Sequence, residues 1–479
     1  MSTASAGGAG QGPSGGQGCG QYGIVANVFE RVSAVAGEDV RSLLGELQKC
    51  MRCGQCRASC PVFAESGRET DVARGKLGLL LEELGGDLRP DRELYARLTR
   101  CVNCGRCRLE CPSGADTGYM LLEGRCLLQR RIGLPPVKAA VVRGLFGRPA
   151  VLRAAAAALG LVQALLFRPS PVDPRHVRSI WRLPVFGQRM LLPRMRKRRP
   201  ATAPALAAGR RQYVAPADAP VVIYPGCLVD LGYPELLTAA QEVFARLGRR
   251  VVVPEGLVCC GAPAAYAGDA DTARRLAAEN LKALAGHLDS PGSRLAFLCP
   301  SCAVAFRHDY PAYLFGRMSG GTEALAAAGL TMDAVSDVAA KSVDATALAW
   351  ELGIGEHLAG PPISASVTYH DPCHLRRLLG VHSQPREALR ALAGGGFREA
   401  PRPDSCCGFG GTFALEHVAA SAQMLDRRAG ELASTGAQLV ATACPGCMAW
   451  LANGLDRAGG GQRTVHLIEL IARGLGGGV

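Results

Sequence analysis

Eighteen of the 20 cysteines in this 479-residue chain fall into four ordered sets, and their spacing constrains the fold more than any other feature. The first two sets are one four-cysteine run written twice, each ended by a proline. The other two share a second pattern: a single cysteine, an adjacent pair followed by glycine, and a final Cys-x-x-Cys. Only Cys19 and Cys126 lie outside the sets. In chain order the sets are Cys50, Cys53, Cys56 and Cys60; Cys101, Cys104, Cys107 and Cys111; Cys227, Cys259, Cys260, Cys299 and Cys302; and Cys373, Cys406, Cys407, Cys444 and Cys447.

The repeated C-x2-C-x2-C-x3-C-P run is typical of bacterial ferredoxins that bind two 4Fe–4S clusters. A disulfide scaffold would need an oxidising compartment, and no basic and apolar signal sequence opens the chain. Structural zinc is commonly held by two separated CxxC pairs, not by four thiolates in one short stretch. The fourth cysteine of such a run ligates the other cluster, so crossed ligation is predicted. One cluster then takes Cys50, Cys53, Cys56 and Cys111, and the other takes Cys101, Cys104, Cys107 and Cys60.

The two five-cysteine sets indicate further metal or cluster sites. Buried free cysteines can act as small apolar residues, but ten of them in two matching patterns disfavour that interpretation. The spacing does not give the cluster type, and zinc or a conventional 4Fe–4S cluster both remain open. His370 and His374 flank Cys373 and could ligate, donate a proton or orient the backbone, although a packed or solvent-facing histidine is the default. No catalytic residue is predicted.

The C-terminal half is an internal repeat. Cys227 to Cys302 spans 75 positions and Cys373 to Cys447 spans 74. In both copies, strand patterns that lead into cysteines alternate with helix patterns. This alternation predicts α/β units with a mainly parallel sheet, and cysteines at strand ends lie where such sheets place ligands.

The predicted fold class is α+β multidomain, with an α-helical ferredoxin domain before the two α/β repeats. Helical patterns at 74–84 and 92–99 lie between the two ferredoxin-type runs and support the helical form. The predicted divisions are a disordered low-complexity tail at 1–25, the two-cluster ferredoxin domain at 40–131, a basic Pro/Arg-rich connector at 132–219, a first cysteine-rich domain at 220–310, a helical linker at 311–365 and a second cysteine-rich domain at 366–475.

The net charge of +13 comes from one segment, because residues 130–200 hold sixteen Lys or Arg and a single acid. Basic residues interleaved with Leu, Val and Phe suit an anionic lipid surface, so peripheral membrane contact through 132–200 is one interpretation. A solvated linker is the other. No nucleic-acid-binding motif accompanies the segment, and no nucleic acid is expected. The predicted location is cytoplasmic, with or without peripheral contact on the cytoplasmic face of the membrane.

The chain lacks a GxGxxG motif between a strand and a helix, and it lacks a P-loop. No flavin, nicotinamide or nucleotide site is therefore predicted. A chain rich in electron-carrier motifs without a hydride acceptor is expected to be one subunit of an oxidoreductase.

Several motifs resemble the paired cysteine-rich "CCG" domains of heterodisulfide reductases and of the iron–sulfur subunits of glycolate, lactate and anaerobic glycerol-3-phosphate dehydrogenases. With the ferredoxin runs, the chain most resembles the iron–sulfur subunit of bacterial glycolate oxidase. The motifs that carry the resemblance are Gly226-Cys227, Cys259-Cys260-Gly261-Ala262, His370-Asp371-Pro372-Cys373-His374-Leu375 and Cys406-Cys407-Gly408-Phe409-Gly410-Gly411.

The resemblance implies an electron-transfer subunit of a flavin-dependent glycolate or lactate dehydrogenase. FAD is expected only on a partner subunit, and electrons would pass through 4Fe–4S clusters toward a quinone or another acceptor. It also implies that the five-cysteine sets could hold non-cubane 4Fe–4S clusters. Two alternatives remain: a heterodisulfide-reductase-like catalytic subunit, and a membrane-docking subunit of the anaerobic glycerol-3-phosphate dehydrogenase type.

Overall fold

The computed structural model describes residues 38–183, 189–195, 219–358 and 363–476. The tail predicted at 1–25, with Cys19, lies outside the described residues. Cys126, the other cysteine outside the four sets, is buried in the core that joins the N-terminal helices to the first repeat.

Helices around the two ferredoxin-type runs form the N-terminal domain. The 16-residue helix Thr117–Ile132 is at its centre and packs against four others of this domain. It begins where Asp116 accepts a hydrogen bond from the Tyr119 amide at 3.1 Å. This confirms the α-helical ferredoxin prediction. The helices α1 to α7 are Glu38–Gln48, Gln55–Ser59, Pro61–Ser66, Ala73–Leu84, Arg92–Thr99, Arg106–Leu109 and Thr117–Ile132.

Eleven strands form three sheets in the described residues. Numbered along the chain, β1 to β11 are Phe167–Pro169, His176–Ser179, Leu191–Pro193, Val221–Tyr224, Val251–Val252, Arg294–Phe297, Ser342–Asp344, Val367–Tyr369, Phe397–Arg398, Leu439–Thr442 and Arg463–His466.

The two cysteine-rich repeats have the same sheet topology. The first sheet has the order β5-β4-β6-β7 and the second the order β9-β8-β10-β11, with all pairs parallel. Counted within each repeat, the order is second, first, third, fourth. This is the start of the flavodoxin-like order, in which ligands bind beyond the carboxyl ends of the first and third strands. The predicted α/β repeat is confirmed.

The repeat helices cover the sheets and pack the two repeats against each other. Helix Pro234–Arg246 of the first repeat packs against Leu467–Gly474 of the second, and both sheets contribute to one buried core. The helices of this half are Cys227–Gly232, Pro234–Arg246, Ala262–Ala267, Ala270–Leu284, Pro300–Val304, Gly321–Ala327, Met332–Lys341, Ala345–Glu351, Ile354–His357, Ser383–Ala393, Phe413–Glu416, Val418–Ala433, Pro445–Arg457 and Leu467–Gly474, with π-helical turns at Ala305–Arg317 and His374–Leu378.

The boundary predicted at residue 310 is too early. The segment 311–365, expected to be a helical linker, contains β7, which pairs in parallel with β6. A three-residue strand between two helices gives too short an apolar pattern to be recognised in the sequence. The first sheet therefore extends to Asp344.

The connector predicted at 132–219 is structured over its described residues. Helices Pro136–Ala139 and Pro149–Leu166 and a π-helical turn at Ala140–Phe146 lead into the antiparallel sheet β1-β2-β3. Arg175 fixes this sheet to the second repeat, because its guanidinium donates to Glu469 at 2.8 Å while also pairing with Asp173. A solvated linker is therefore the wrong interpretation for these residues.

Candidate electron-transfer site

None of the 19 cysteines in the described ranges forms a disulfide. The four sets are brought together inside the molecule, each by its own local backbone geometry. The ferredoxin-type runs are held by left-handed turns, and the five-cysteine sets are held by the ends of the parallel strands.

The two ferredoxin-type runs share one turn conformation. Arg52 and Gly54 in the first run have φ values of 54° and 85°, and Asn103 and Gly105 in the second have 52° and 72°. Two left-handed residues around the second cysteine curl each loop toward a common centre. Such turns leave backbone N–H groups pointing into the concavity, which favours an anionic ligand.

The turns group the cysteines across the two runs. One cavity is lined by Cys50, Cys53, Cys56 and Cys111, and also by Cys107. A second cavity is lined by Cys60, Cys101, Cys104 and Cys107. The last cysteine of each run therefore lies with the first three of the other run.

Burial makes the second of these cavities costly for unpaired thiolates. It raises the pKa of Cys104 to about 12, and it raises that of Cys107 further. The buried ammonium of Lys76 donates to the Asp71 and Thr70 carbonyls beside this cavity, and burial lowers its pKa. Thiolates in such a place need a cation, which iron would supply.

The first five-cysteine set, Cys227, Cys259, Cys260, Cys299 and Cys302, gathers at the carboxyl ends of β4, β5 and β6. The thiols of Cys227 and Cys259 are hydrogen-bonded, as are those of Cys260 and Cys302. Gly226 has a φ of 79°, and a Cβ there would lie 3.3 Å from the Cys302 sulfur. Glycine is therefore required for the close approach of this loop to the thiols.

The second set, Cys373, Cys406, Cys407, Cys444 and Cys447, repeats this arrangement at β8, β9 and β10. Cys407 Sγ lies 3.5 Å from Cys447 Sγ, and Cys373 and Cys406 are hydrogen-bonded. Gly408 has a φ of 82°, and a Cβ there would lie 2.8 Å from the Ser421 carbonyl oxygen.

Two buried polar groups beside the second set have no hydrogen-bond partner in the described part of the chain. They are Nε2 of His370 and Nη1 of Arg377. His370 lies with Cys407 and Cys447 in a group whose ligand atoms are within 4.8 Å of one another. Its Nδ1 accepts a hydrogen bond from Arg428 at 3.1 Å. Unpaired buried donors are costly, and an anionic cluster with sulfide ligands would satisfy them, so the residues fit such a group.

His374 links three of the four sets. Its Nε2 donates to the Asn103 carbonyl at 2.9 Å, and its Nδ1 lies 2.9 Å from the Ser301 hydroxyl. Asn103 lies inside the second ferredoxin-type run, Ser301 lies between Cys299 and Cys302, and His374 follows Cys373. The sequence drew attention to His374 but not to this role, because its partners are 73 and 271 residues away.

The second five-cysteine set has neighbours in two directions. Cys104 lies in one buried cluster with Cys406 and next to Cys373. Cys299 of the first set packs against the buried cluster that contains Cys444 of the second. The second five-cysteine set therefore adjoins both the ferredoxin-type domain and the first five-cysteine set.

Comparison with known families agrees with this architecture. The 4Fe-4S dicluster domain family matches residues 46–115, and the CCG cysteine-rich domain family matches residues 221–307 and 367–452. A dicluster domain followed by two cysteine-rich domains defines the class as iron–sulfur subunits of oxidoreductases. The chain belongs to the CCG-domain family that includes the iron–sulfur subunit of bacterial glycolate oxidase.

Three relatives illustrate the family. The chain is 29% identical over 448 residues to the probable glycolate oxidase iron-sulfur subunit of Bacillus subtilis, covering 90% of this chain and 95% of that protein. It is 24% identical to a fumarate reductase (CoM/CoB) subunit of Methanothermobacter marburgensis, over 93% of this chain and 75% of that protein. It is 30% identical to lactate utilization protein A of Geobacillus kaustophilus, over 52% of this chain and 98% of that protein.

Proposed function

We propose that the chain is the electron-transfer subunit of a flavin-dependent glycolate or lactate dehydrogenase. An FAD-bearing partner subunit would oxidise the 2-hydroxy acid, and this chain would carry the electrons toward a quinone or another acceptor. The relatives named for glycolate oxidation and lactate utilization support the substrate class. The observation that carries the proposal is the unbroken series of adjacent cysteine sets.

The ligands are assigned by the groups that share a cavity. Cys50, Cys53, Cys56 and Cys111 hold one 4Fe–4S cluster, and Cys101, Cys104, Cys107 and Cys60 hold the second. The first and second five-cysteine sets each hold a further cluster. When bound, these clusters accept and release single electrons.

The protein's own groups set the conditions for that transfer. The left-handed turns and glycines let the backbone approach each site closely, and the apolar core excludes water. Lys76 and Arg377 supply buried positive charge beside the second ferredoxin-type site and the second five-cysteine set. Through its two hydrogen bonds, His374 fixes the relative positions of the loops of three sites.

The test is whether a 2-hydroxy acid reduces the purified chain through the FAD-bearing partner subunit. The chain is mixed anaerobically with the co-purifying flavoprotein and glycolate or lactate, and the visible cluster absorbance is followed. Bleaching by a 2-hydroxy acid, dependent on the flavoprotein, is expected. If no 2-hydroxy acid bleaches the absorbance in the presence of the flavoprotein, the proposed substrate class is wrong.

A second candidate is a catalytic subunit that performs disulfide chemistry at a five-cysteine set. Two complete, adjacent five-cysteine sets and the likeness to the fumarate reductase (CoM/CoB) subunit favour it. Disulfide reduction that persists without any flavoprotein and is abolished by Cys406→Ser would select this candidate. Loss of all activity on removal of the flavoprotein would exclude it.

A further inference from the structure

The first five-cysteine set faces a large open cavity. This cavity of about 1620 Å³ is lined by Cys227 and Cys259 on one side and by helix Pro149–Leu166 on the other. It exceeds the roughly 300–1,000 Å³ typical of small-molecule sites. A long ligand can therefore reach the first five-cysteine set.

The walls of the cavity are apolar with a few charged groups. The helix contributes Leu152, Ala156, Ala157 and Gly160, and the loops of the first repeat contribute Leu231 and Leu257. Arg153 and Arg194 also line it, as do the acidic residues Asp230 and Glu255. The arginine side chains carry the donors. These groups can donate hydrogen bonds to the carbonyl oxygens of a ligand.

The opposite face of the same helix is also apolar and is exposed. Leu165 is 77% exposed, and Val151 and Val162 are each more than 40% exposed. By length and composition this is the one helix in the described residues that could cross a membrane, yet only 11% of it is buried. A helix that is apolar all round needs apolar surroundings on both faces.

Basic side chains flank this helix. Arg148 precedes it and Arg168 follows it, while the helix itself contains no acidic residue. An apolar face with arginines at its borders suits the boundary of an anionic lipid layer.

From these observations, and resting on the proposed electron-transfer function, we infer that the cavity between helix Pro149–Leu166 and the first five-cysteine set binds a lipid-soluble quinone. The outer face of the helix lies in the lipid interface, and its inner face guides the quinone to Cys227 and Cys259. The reduced protein supplies two electrons, one at a time, and solvent water supplies two protons. The quinone leaves as the quinol.

Two neighbouring alanines of the helix provide a matched test of the inner face. Ala157 lines the cavity and Ala158 does not. The full chain, purified anaerobically with its metal content, is reduced with dithionite and mixed with menadione. Ala157→Trp is expected to slow reoxidation roughly tenfold, while Ala158→Trp stays within about twofold of the parent chain. A photoreactive azidoquinone should label the peptides that line the cavity.

Equal reoxidation rates for the two tryptophan variants, or labelling confined to other peptides, would overturn the quinone site. Chemical reduction bypasses the flavoprotein, so this outcome is independent of the 2-hydroxy-acid test. Unchanged absorbance spectra and metal content of both variants show that the sites are intact.

The outer face is tested with Leu165→Glu and, as a control, Leu415→Glu, which replaces an exposed leucine of the second repeat. Leu165→Glu should leave the reaction with water-soluble menadione unchanged but slow the reaction with menaquinone in phosphatidylglycerol vesicles. The control should slow neither. If Leu165→Glu does not slow the vesicle reaction, the quinone does not enter from lipid by this helix.

Discussion

The two cysteine-rich repeats have one topology but different surroundings. The second set adjoins both the ferredoxin-type domain and the first set, and four of its five cysteines are buried. The first set adjoins the large cavity, and its Cys227 and Cys299 are partly accessible. Duplication has therefore kept the ligand geometry while the neighbouring residues changed, which suits one site for relay and the other for contact with an acceptor.

Equivalent positions show how the difference is encoded. His370 in the second repeat corresponds to Tyr224 in the first, and Arg377 corresponds to Leu231. The second set is thus surrounded by nitrogen donors and positive charge, whereas the first has a tyrosine and an aliphatic wall that opens on the cavity. These residues lie three positions before and four positions after the single cysteine of each set.

The largest effect is expected from removing a ligand of either set. Cys406→Ser should prevent reduction of the first-repeat site from the ferredoxin side, because the second set is the intermediate. Cys259→Ser should leave the second-repeat site reducible and still abolish electron delivery to the acceptor. In both variants, the rate of electron delivery to the acceptor should fall at least about 100-fold. Electron paramagnetic resonance of each variant after substrate reduction distinguishes the two patterns, and identical spectra would contradict the order.

His374 is a positioning residue whose loss should slow transfer between the domains. His374→Phe keeps a ring beside Tyr266 but removes both hydrogen bonds. The rate at which the repeats are reduced after the dicluster domain should fall roughly tenfold. His382→Phe replaces an exposed histidine eight residues away and should have no effect. If His374→Phe lowers only thermal stability and leaves the rate intact, the positioning role is wrong.

Exchanging charge between the repeats tests why the two sites differ. Arg377→Leu removes a buried cation beside the second set, so the reduction potential of that site should fall by about 60 mV, a tenfold change for a one-electron couple. Leu231→Arg adds a cation beside the first set and should raise the potential of that site. A redox titration followed by paramagnetic resonance measures both potentials. If neither substitution shifts the potential of its site, these residues do not set the difference in potential between the two sites.

The smallest expected effect is a pH dependence of stability. It arises at the start of a helix, where the two repeats have different residues. Helix Ala270–Leu284 begins at Asp269, which accepts from the Thr272 amide, whereas Val418–Ala433 begins at His417. Burial lowers the pKa of His417 to about 4. The folded state thus resists protonating this ring, so stability is lost as the pH falls from about 6.5 toward 4.

We expect roughly 2 kcal/mol of destabilisation at pH 5 relative to pH 7, and faster exchange of the amide hydrogens of this helix. Hydrogen exchange of Val418–Ala433 measures it directly. His417→Gln should remove this pH dependence, while the helix Ala270–Leu284 serves as an internal control. An unchanged dependence in His417→Gln would assign it to another group.

Much of the architecture follows from local sequence. The helix expected at 92–99 is the observed Arg92–Thr99, because Asp91 supplies a clear N-cap before an amphipathic pattern. The repeated cysteine motifs predicted the internal repeat and the grouping of the ferredoxin-type cysteines across the two runs. By contrast, β5 and β9 are two residues long, and β7 is three, so their sheet positions depend on tertiary packing that no short pattern contains.

The functional surroundings were least predictable. His374 was singled out by its motif, yet its link between three sites depends on segments far apart in the chain. The connector composition suggested either a lipid contact or a solvated linker. Arg175 decides against the linker through buried ion pairs with Asp173 and Glu469, which composition alone cannot reveal.

The central claim is that electrons move from the ferredoxin-type domain through the second five-cysteine set to the first. Rapid-freeze paramagnetic resonance of the full chain, mixed with the reduced flavoprotein and 2-hydroxy acid, follows the sites in time. The account predicts dicluster signals first, those of the second repeat next, and those of the first repeat last. Reduction of the first repeat before the second would contradict it.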